Sequence, residues 1–307
     1  MNSSQVSYFL LGAYENLGAY SYLLFTLVLL FYLLIVASNL LLTAVICLNR
    51  SLHQPMYVLL CSLFVNQLYG STALFPFLLL QILSDLHAVS ASFCFLQIFC
   101  VHSYGGVEFM TLAAMAYDRY AAICQPLQYQ RLMSSSRLAL LLAAAWWYPS
   151  VFAVVLLWLR SPLQLCGNTI HKVYCGSHAV VKLSCSGSTA VNAYRLVATF
   201  SVVVGCLLVI GYSYLRILQV CSSGSRRTRQ KAVSTCSPHL ASLLNFSIGV
   251  AFETVQSRLD MQHLPNLLRV VLSLYFLTCP PLLNPVIYGL KMSKLQRLYQ
   301  RLMSSSR

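Results

Sequence analysis

The sequence predicts an all-α membrane protein, a seven-transmembrane helix bundle with a short amphipathic C-terminal helix lying on the membrane surface. Three observations predict it. The chain of 307 residues is 58% hydrophobic and only 8% charged, against roughly 25% charged residues in a soluble domain. Its apolar residues fall into long runs, each with at least the roughly 20 residues that a helix needs to cross hydrocarbon. Its cations gather at the ends of those runs. In a soluble protein the net charge of +14 would invite a nucleic-acid reading. The placement of the cations argues against one, and the partner this composition demands is a lipid bilayer.

The spans follow in order. Tyr20 to Leu48 and Met56 to Leu83 contain no charged residue. The third span runs from Phe93 to Cys124, is interrupted by Glu108 and carries Asp118-Arg119 near its end. The fourth covers Leu138 to Leu159, and the fifth Ala190 to Leu215 with Arg195 near its start. The sixth covers Ala232 to Gln256 with Glu253 near its end, and the seventh Leu264 to Leu290 with Arg269 near its start. From Lys291 to Leu302, Leu295, Leu298 and Leu302 recur at helical spacing among Lys294, Arg297 and Arg301, the pattern of a surface helix. Residues 1–307 therefore read as one bundle. Met1 to Gly18 lacks the basic start and small-residue cleavage site of a signal peptide, so the first span reads as an uncleaved anchor.

Lys and Arg near span ends fix orientation. Arg50, Arg119, Arg131, Arg137, Arg216, Arg226, Arg227, Arg229, Lys231 and the tail cations fall on one side. Arg160, Lys172, Lys182, Arg195, Arg258 and Arg269 fall on the other. The first set is larger and lies in short segments, which predicts that it is cytoplasmic and that the N-terminus is extracellular. Asn2-Ser3-Ser4 is a glycosylation sequon that agrees with this topology. Asn245-Phe246-Ser247 has the same form but lies inside a span, out of reach. The segment Tyr129 to Arg137 recurs residue for residue as Tyr299 to Arg307. An inherited tail, a joining scar and a basic serine patch for phosphorylation remain open as its origin.

Of twelve cysteines, Cys47, Cys61, Cys206 and Cys279 lie in spans and read as small apolar residues. Cys94, Cys166, Cys175 and Cys185 lie outside or at the outer edge. Four cysteines in an oxidising compartment allow three disulfide pairings. With His171 and His178 they match no compact zinc pattern, so no metal is expected.

Five motifs lie at the span ends. They are Leu52-His53-Gln54-Pro55-Met56-Tyr57, Met115-Ala116-Tyr117-Asp118-Arg119-Tyr120, and Ser213-Tyr214-Leu215-Arg216. The other two are Lys231 through Ser237-Pro238-His239-Leu240 and Pro281-Leu282-Leu283-Asn284-Pro285-Val286-Ile287-Tyr288. Together, and in this order, they resemble the odorant (olfactory) receptor family of rhodopsin-like, class A G-protein-coupled receptors, over essentially the whole chain. Leu68-Tyr69-Gly70 through Phe93-Cys94-Phe95-Leu96-Gln97 most resembles the fish branch. The resemblance implies a small odorant as ligand and a stimulatory heterotrimeric G protein as partner. Cyclic AMP is then the output, and the location is the plasma membrane, crossed several times. It implies neither cofactor nor catalysis.

The resemblance also implies roles. Asp118, Arg119, Tyr120, Tyr214, His239, Asn284, Pro285 and Tyr288 would form the switch and G-protein contact. Asp118 neutralises Arg119 at the membrane edge, an ion pair costly to leave unmatched. Pro285 frees a carbonyl one turn earlier, which needs a partner in lipid, and Asn284 is suited to polar contacts nearby. Tyr288 would exchange partners, with Tyr214 among them. Val101, His102, Gly105, Gly106, Ala198, Val202, Val250, Ala251, Thr254, Leu274 and Thr278 would line the ligand site. Val101 stands where amine receptors carry an aspartate, so an amine receptor is disfavoured. The implied disulfides are Cys94–Cys175 and Cys166–Cys185.

The chain departs from related receptors at two places. They pair a carboxylate at the Glu108 position with an aspartate of span two to bind sodium. Here span two offers Asn66 and Gln67, so sodium binding is in doubt and a protonated, hydrogen-bonded Glu108 is the alternative. Phe246 is followed by Ser247-Ile248 where many members have Phe-Tyr-Gly, so the floor of the pocket would differ. A transporter would show repeat symmetry and several midplane charges, and an enzyme would show paired carboxylates or a nucleophile with a base. Neither pattern occurs. A non-olfactory chemosensory receptor of the same class is the remaining alternative.

Overall fold

The computed structural model describes residues 6–14, 20–160, 164–185, 189–258 and 266–291. The sequon at Asn2, the surface helix expected beyond Lys291 and the second copy of the repeat lie outside the described residues. Nine helices are present among those described: α1 (Ser21–Leu48), α2 (Pro55–Leu83), α3 (Ala91–Cys124), α4 (Tyr129–Leu132), α5 (Ser135–Arg160), α6 (Ser177–Lys182), α7 (Thr189–Ser222), α8 (Arg226–Arg258) and α9 (Asn266–Lys291). All but α4 and α6 are long.

Helix α3 is the axis of the bundle. It packs against α2, α5, α7 and α8, while α1 rests on α2 and α9, and α8 on α9. Burial follows the same order. In the most apolar stretch of α3, 67% of residues are inside the protein, against 11% in α1. The outer surfaces of α1, α5 and α7 expose Leu23, Leu30, Phe31, Trp147, Trp158, Phe200 and Leu208. In water so large an apolar surface would not persist; in lipid it is the expected exterior.

Six of the long helices are long and apolar enough to cross a membrane by composition alone, and α8 is not among them. The reason lies in its inward face. His239, Ser242 and Asn245 make the helix less apolar, and each hydrogen-bonds to a neighbouring helix. Polar groups satisfied inside a bundle cost little there. Helices α7 and α8 also continue beyond the apolar runs, to Ser222 and from Arg226. A hydropathy run measures the path through lipid, whereas the helix carries on past the headgroups.

Close packing depends on glycines, among them Gly249 of α8, where a Cβ would lie 2.6 Å from Phe276 of α9. A Cβ on Gly106 of α3 would lie 2.4 Å from the Pro149 ring of α5, and one on Gly70 of α2 would lie 2.4 Å from the Tyr104 ring. Both would displace a neighbouring helix or side chain.

At one end the connections form a lid. Strand β1 (Tyr8–Leu11) lies between β2 (Ala88–Ser90), with which it is antiparallel, and β3 (Thr169–Ile170), with which it is parallel. The hydrophobic pattern along the helices gave no hint of this small sheet. Phe9 is completely buried beneath it, and the Tyr14 hydroxyl donates to the Val173 carbonyl at 2.7 Å. Burial holds that hydroxyl protonated far above the ordinary tyrosine range. Disulfides Cys94–Cys175 and Cys166–Cys185 pin the loop between α5 and α7, the first to α3 and the second within the loop.

Candidate functional site

Beneath the lid lies a cavity of about 270 Å³. Its walls come from α3, α5, α7, α8 and the loop, with Phe276 contributed by α9. Val101, His102, Gly105, Gly106, Val202, Val250 and Thr254 line it, as do Phe109, Phe152, Lys172, Tyr174, Ser177, Arg195 and Glu253. Ala198, Ala251, Leu274 and Thr278, expected at the ligand site, lie outside this lining. On α8, Val250, Glu253 and Thr254 share one face at i, i+3 and i+4. Ala251, one position off, turns outward and is exposed. On α9, Leu274 packs into the apolar core, and Phe276 takes the place facing the cavity. Nothing in the hydropathy pattern marked the loop residues.

The lid is joined to the bundle by charge. Lys172 Nζ lies 2.5 Å from Glu253 Oε1 on α8 and 5.8 Å from the centre of the Tyr174 ring. Tyr174 is buried. Burial first, and the Glu253 carboxylate second, keep its hydroxyl protonated well above the usual range. The Gln97 side chain accepts from the backbone N–H of Cys175 at 2.8 Å, fixing the disulfide over α3. The side chains of Arg258 and Arg269, expected among the cations at this end, lie outside the described residues.

The floor is aromatic. Phe109 meets Phe246 of α8 edge-on, with ring centroids 5.0 Å apart at 70°, and Tyr104 meets Phe246 at 6.0 Å and 82°. Phe246 itself is completely buried. Directly below, Glu108 is fully buried. Its carboxyl group accepts from Asn66 Nδ2 at 2.9 Å, Gln67 Nε2 at 2.7 Å and Asn284 Nδ2 at 3.2 Å. Three amides therefore occupy it. Among the described residues no three His, Cys, Asp or Glu side chains gather as a metal site.

Two proline-freed carbonyls in α9 find donors on other helices. Pro280 frees the carbonyl of Phe276, and Tyr104 donates its hydroxyl there at 3.2 Å. Pro285 frees that of Pro281, and Asn39 of α1 donates to it at 2.9 Å. The sequence suggested Asn284 for polar contacts near this break. Asn284 instead faces inward, donating to Glu108 and accepting from Ser242 at 2.8 Å. Tyr288 is buried edge-on against Phe64, 6.3 Å between centroids.

Closer to the far end, His239 ties three helices together. Its Nε2 donates to the Leu112 carbonyl at 2.8 Å, and Nδ1 hydrogen-bonds the Tyr214 hydroxyl. A carbonyl only accepts, so in the neutral ring the proton sits on Nε2 and Tyr214 is the donor to Nδ1. The partner of Tyr214 in this state is thus His239 and not Tyr288. At the end of α3, Arg119 is paired with Asp118, with its Nε 3.0 Å from Oδ2. Asp118 also accepts from the Tyr129 hydroxyl of α4 at 2.8 Å. Burial first, then the Asp118 charge, raises the Tyr129 hydroxyl above the ordinary tyrosine range. Tyr120 packs against Tyr212 of α7, 5.7 Å between centroids.

Below the lidded cavity, polar contacts join the helices as far as Tyr214 and His239, and an Asp-Arg pair lies at the end of α3. Comparison with known proteins decides what kind of protein this is. The sequence profile described as olfactory receptor matches residues 28–306. The chain belongs to the olfactory receptor family. It is similar to human olfactory receptor 10A6, 32% identical over 303 residues that cover 98% of this chain and 96% of that protein. Human olfactory receptor 6N1 is 33% identical over 98% of this chain and 96% of its own, and mouse olfactory receptor 4B13 is 30% identical over 84% and 83%. The fold is similar to that of squid rhodopsin, with a TM-score of 0.75 at 16% identity, covering 92% of this chain and 80% of that one. The olfactory receptor described here is therefore a multi-pass membrane protein with the rhodopsin-like seven-helix fold, an odorant receptor of the G-protein-coupled class, and not an enzyme.

Proposed function

We propose that the lidded cavity binds a small odorant, and that its occupation releases the Arg119 end of the bundle to a stimulatory heterotrimeric G protein, raising cyclic AMP. The observation that supports this reading is a line of contacts that runs from the cavity to His239 and Tyr214, the latter packed in one apolar cluster with Tyr120 beside Arg119. Phe109 touches ligand space and Phe246. Glu108 beside it joins α2, α3 and α9, Asn284 and Ser242 join α9 to α8, and His239 joins α8 to α3 and α7. A ligand shifts such an equilibrium only through contacts that differ between its two states. The aromatic floor, shared by α3 and α8, is the element that such contacts would move. Asp118, Arg119, Tyr120, Tyr214, His239, Asn284, Pro285 and Tyr288 act as the switch, and Arg119 becomes the G-protein contact once Asp118 releases it. The lid faces outside the cell, because the larger cation set lies at the other end. Asn2 then carries the glycan. A fish-branch origin rests on residues 68–97 alone.

The test is a cyclic AMP screen of volatile and water-soluble odorants in cells displaying the receptor, beside Val202→Trp, which fills the cavity. A response to an odorant that Val202→Trp abolishes at equal surface display supports the assignment. A response that survives Val202→Trp unchanged places the ligand elsewhere.

A further inference from the structure

Among the described residues, the lid end of the cavity is lined by two cations, Lys172 and Arg195, and one carboxylate. Among the described residues Glu253 is the one carboxylate in the lining, and Lys172 holds it. Arg195 lines the same cavity from α7. Arg160, at the end of α5, is close enough to Arg195 for the two charges to interact, and both act electrostatically on His102.

Arg160 is the informative residue. It is 3% exposed. Its Nη2 donates to the carbonyl and hydroxyl of Ser177, a lid residue in the cavity lining. Its Nε and Nη1 are buried without an acceptor. The carbonyl end of α5 supplies partial negative charge but no acceptor for either nitrogen. A buried guanidinium is costly without a counter-charge, and its weakly hydrated donors suit a carboxylate.

Resting on the odorant-receptor reading, the geometry points to an anion subsite at the lid end of the cavity, lined by Arg195 and His102 with Arg160 behind Ser177, and to a ligand with a carboxylate head and an apolar body. The body lies against Val101, Phe109, Phe152, Val202 and Phe276, the apolar part of the lining. The head lies against Arg195 and His102.

The test uses straight-chain carboxylic acids and the alcohols, aldehydes and amines of the same chain length, titrated on cells of measured surface display with cyclic AMP as readout. An acid is expected to give half-maximal activation at a concentration about tenfold below its matched alcohol, as a charge-assisted hydrogen bond implies. Arg160→Gln and Arg195→Gln each raise that concentration about tenfold and shift a neutral activator by less than about twofold. Arg160→Lys, which keeps the charge, restores most of the acid response. If Arg160→Gln does not reach the surface, Arg195→Gln decides alone. Activation by neutral compounds with no preference for acids overturns the inference and leaves the receptor reading standing. An acid curve unmoved by the substitutions does the same. Silence toward every compound counts against both.

Discussion

Asn39 of α1 donates its side-chain amide to the carbonyl of Pro281 on α9, 2.9 Å away, and that carbonyl is the one Pro285 leaves without its helical partner. The break in α9 is thereby stitched to α1 while the helix stays continuous from Asn266 to Lys291. A weak point held from outside the helix can bend without exposing an orphaned carbonyl to lipid.

Removing that donor has a measurable cost. Asn39→Leu leaves a buried carbonyl unpaired and is expected to destabilise the bundle by about 1–2 kcal/mol. Thermal unfolding of purified receptor in detergent checks it. The midpoint falls for Asn39→Leu, and an unchanged midpoint would mean that the carbonyl is satisfied another way.

Tyr214 and His239 form one tie between α7 and α8, and His239 continues it to Leu112 on α3. Tyr214→Phe removes about 1 kcal/mol from the resting arrangement, so ligand-independent cyclic AMP rises. His239→Phe breaks both bonds and raises it further. Because the two side chains share a bond, their combination is expected to give no more than His239→Phe alone. Additive effects would show that they act separately.

Tyr129 sets the strength of the Asp118–Arg119 pair from outside α3. Tyr129→Phe removes one acceptor bond of Asp118, worth about 1 kcal/mol, which corresponds to a shift of roughly fivefold in the resting equilibrium. Asp118→Asn removes the ion pair itself and gives the larger rise in basal cyclic AMP. Equal basal signalling from all three receptors at matched display would contradict the latch.

The two disulfides differ in what they hold. Cys94–Cys175 joins the loop to α3, whereas Cys166–Cys185 closes a loop between residues 19 apart in sequence. Losing a disulfide costs about 2–5 kcal/mol. Cys94→Ser is expected to reduce surface display more than Cys166→Ser, measured by antibody labelling of intact cells. The reverse order would mean that the lid's internal fold matters more than its anchor.

Much of the bundle was legible because lipid imposes a simple rule, long runs without charge. The motifs at the span ends were legible because they are long and ordered. The rule failed where polarity is satisfied internally. On α8, His239, Ser242 and Asn245 lower the hydropathy of a helix that still belongs to the bundle. Lid contacts were illegible for another reason. The β1 strand and the Lys172–Glu253 pair join residues far apart in the chain through irregular backbone, and no periodicity encodes such a meeting. Ala251 lies a single helical step from the lining face of Val250 and Thr254, and a span's sequence does not fix which face turns inward. In the sequence Tyr129 stands out only as the first residue of a repeat, and its hydrogen bond to Asp118 has no signal there.

The central claim is that occupation of the cavity is read out at Arg119. The most direct measurement is cyclic AMP in cells expressing Arg119→Ala beside the unaltered receptor at matched surface display, each titrated with an odorant that activates the latter. The account predicts a saturable rise in the unaltered receptor and its loss in Arg119→Ala. An Arg119→Ala receptor that responds with the same amplitude at the same concentration would contradict it.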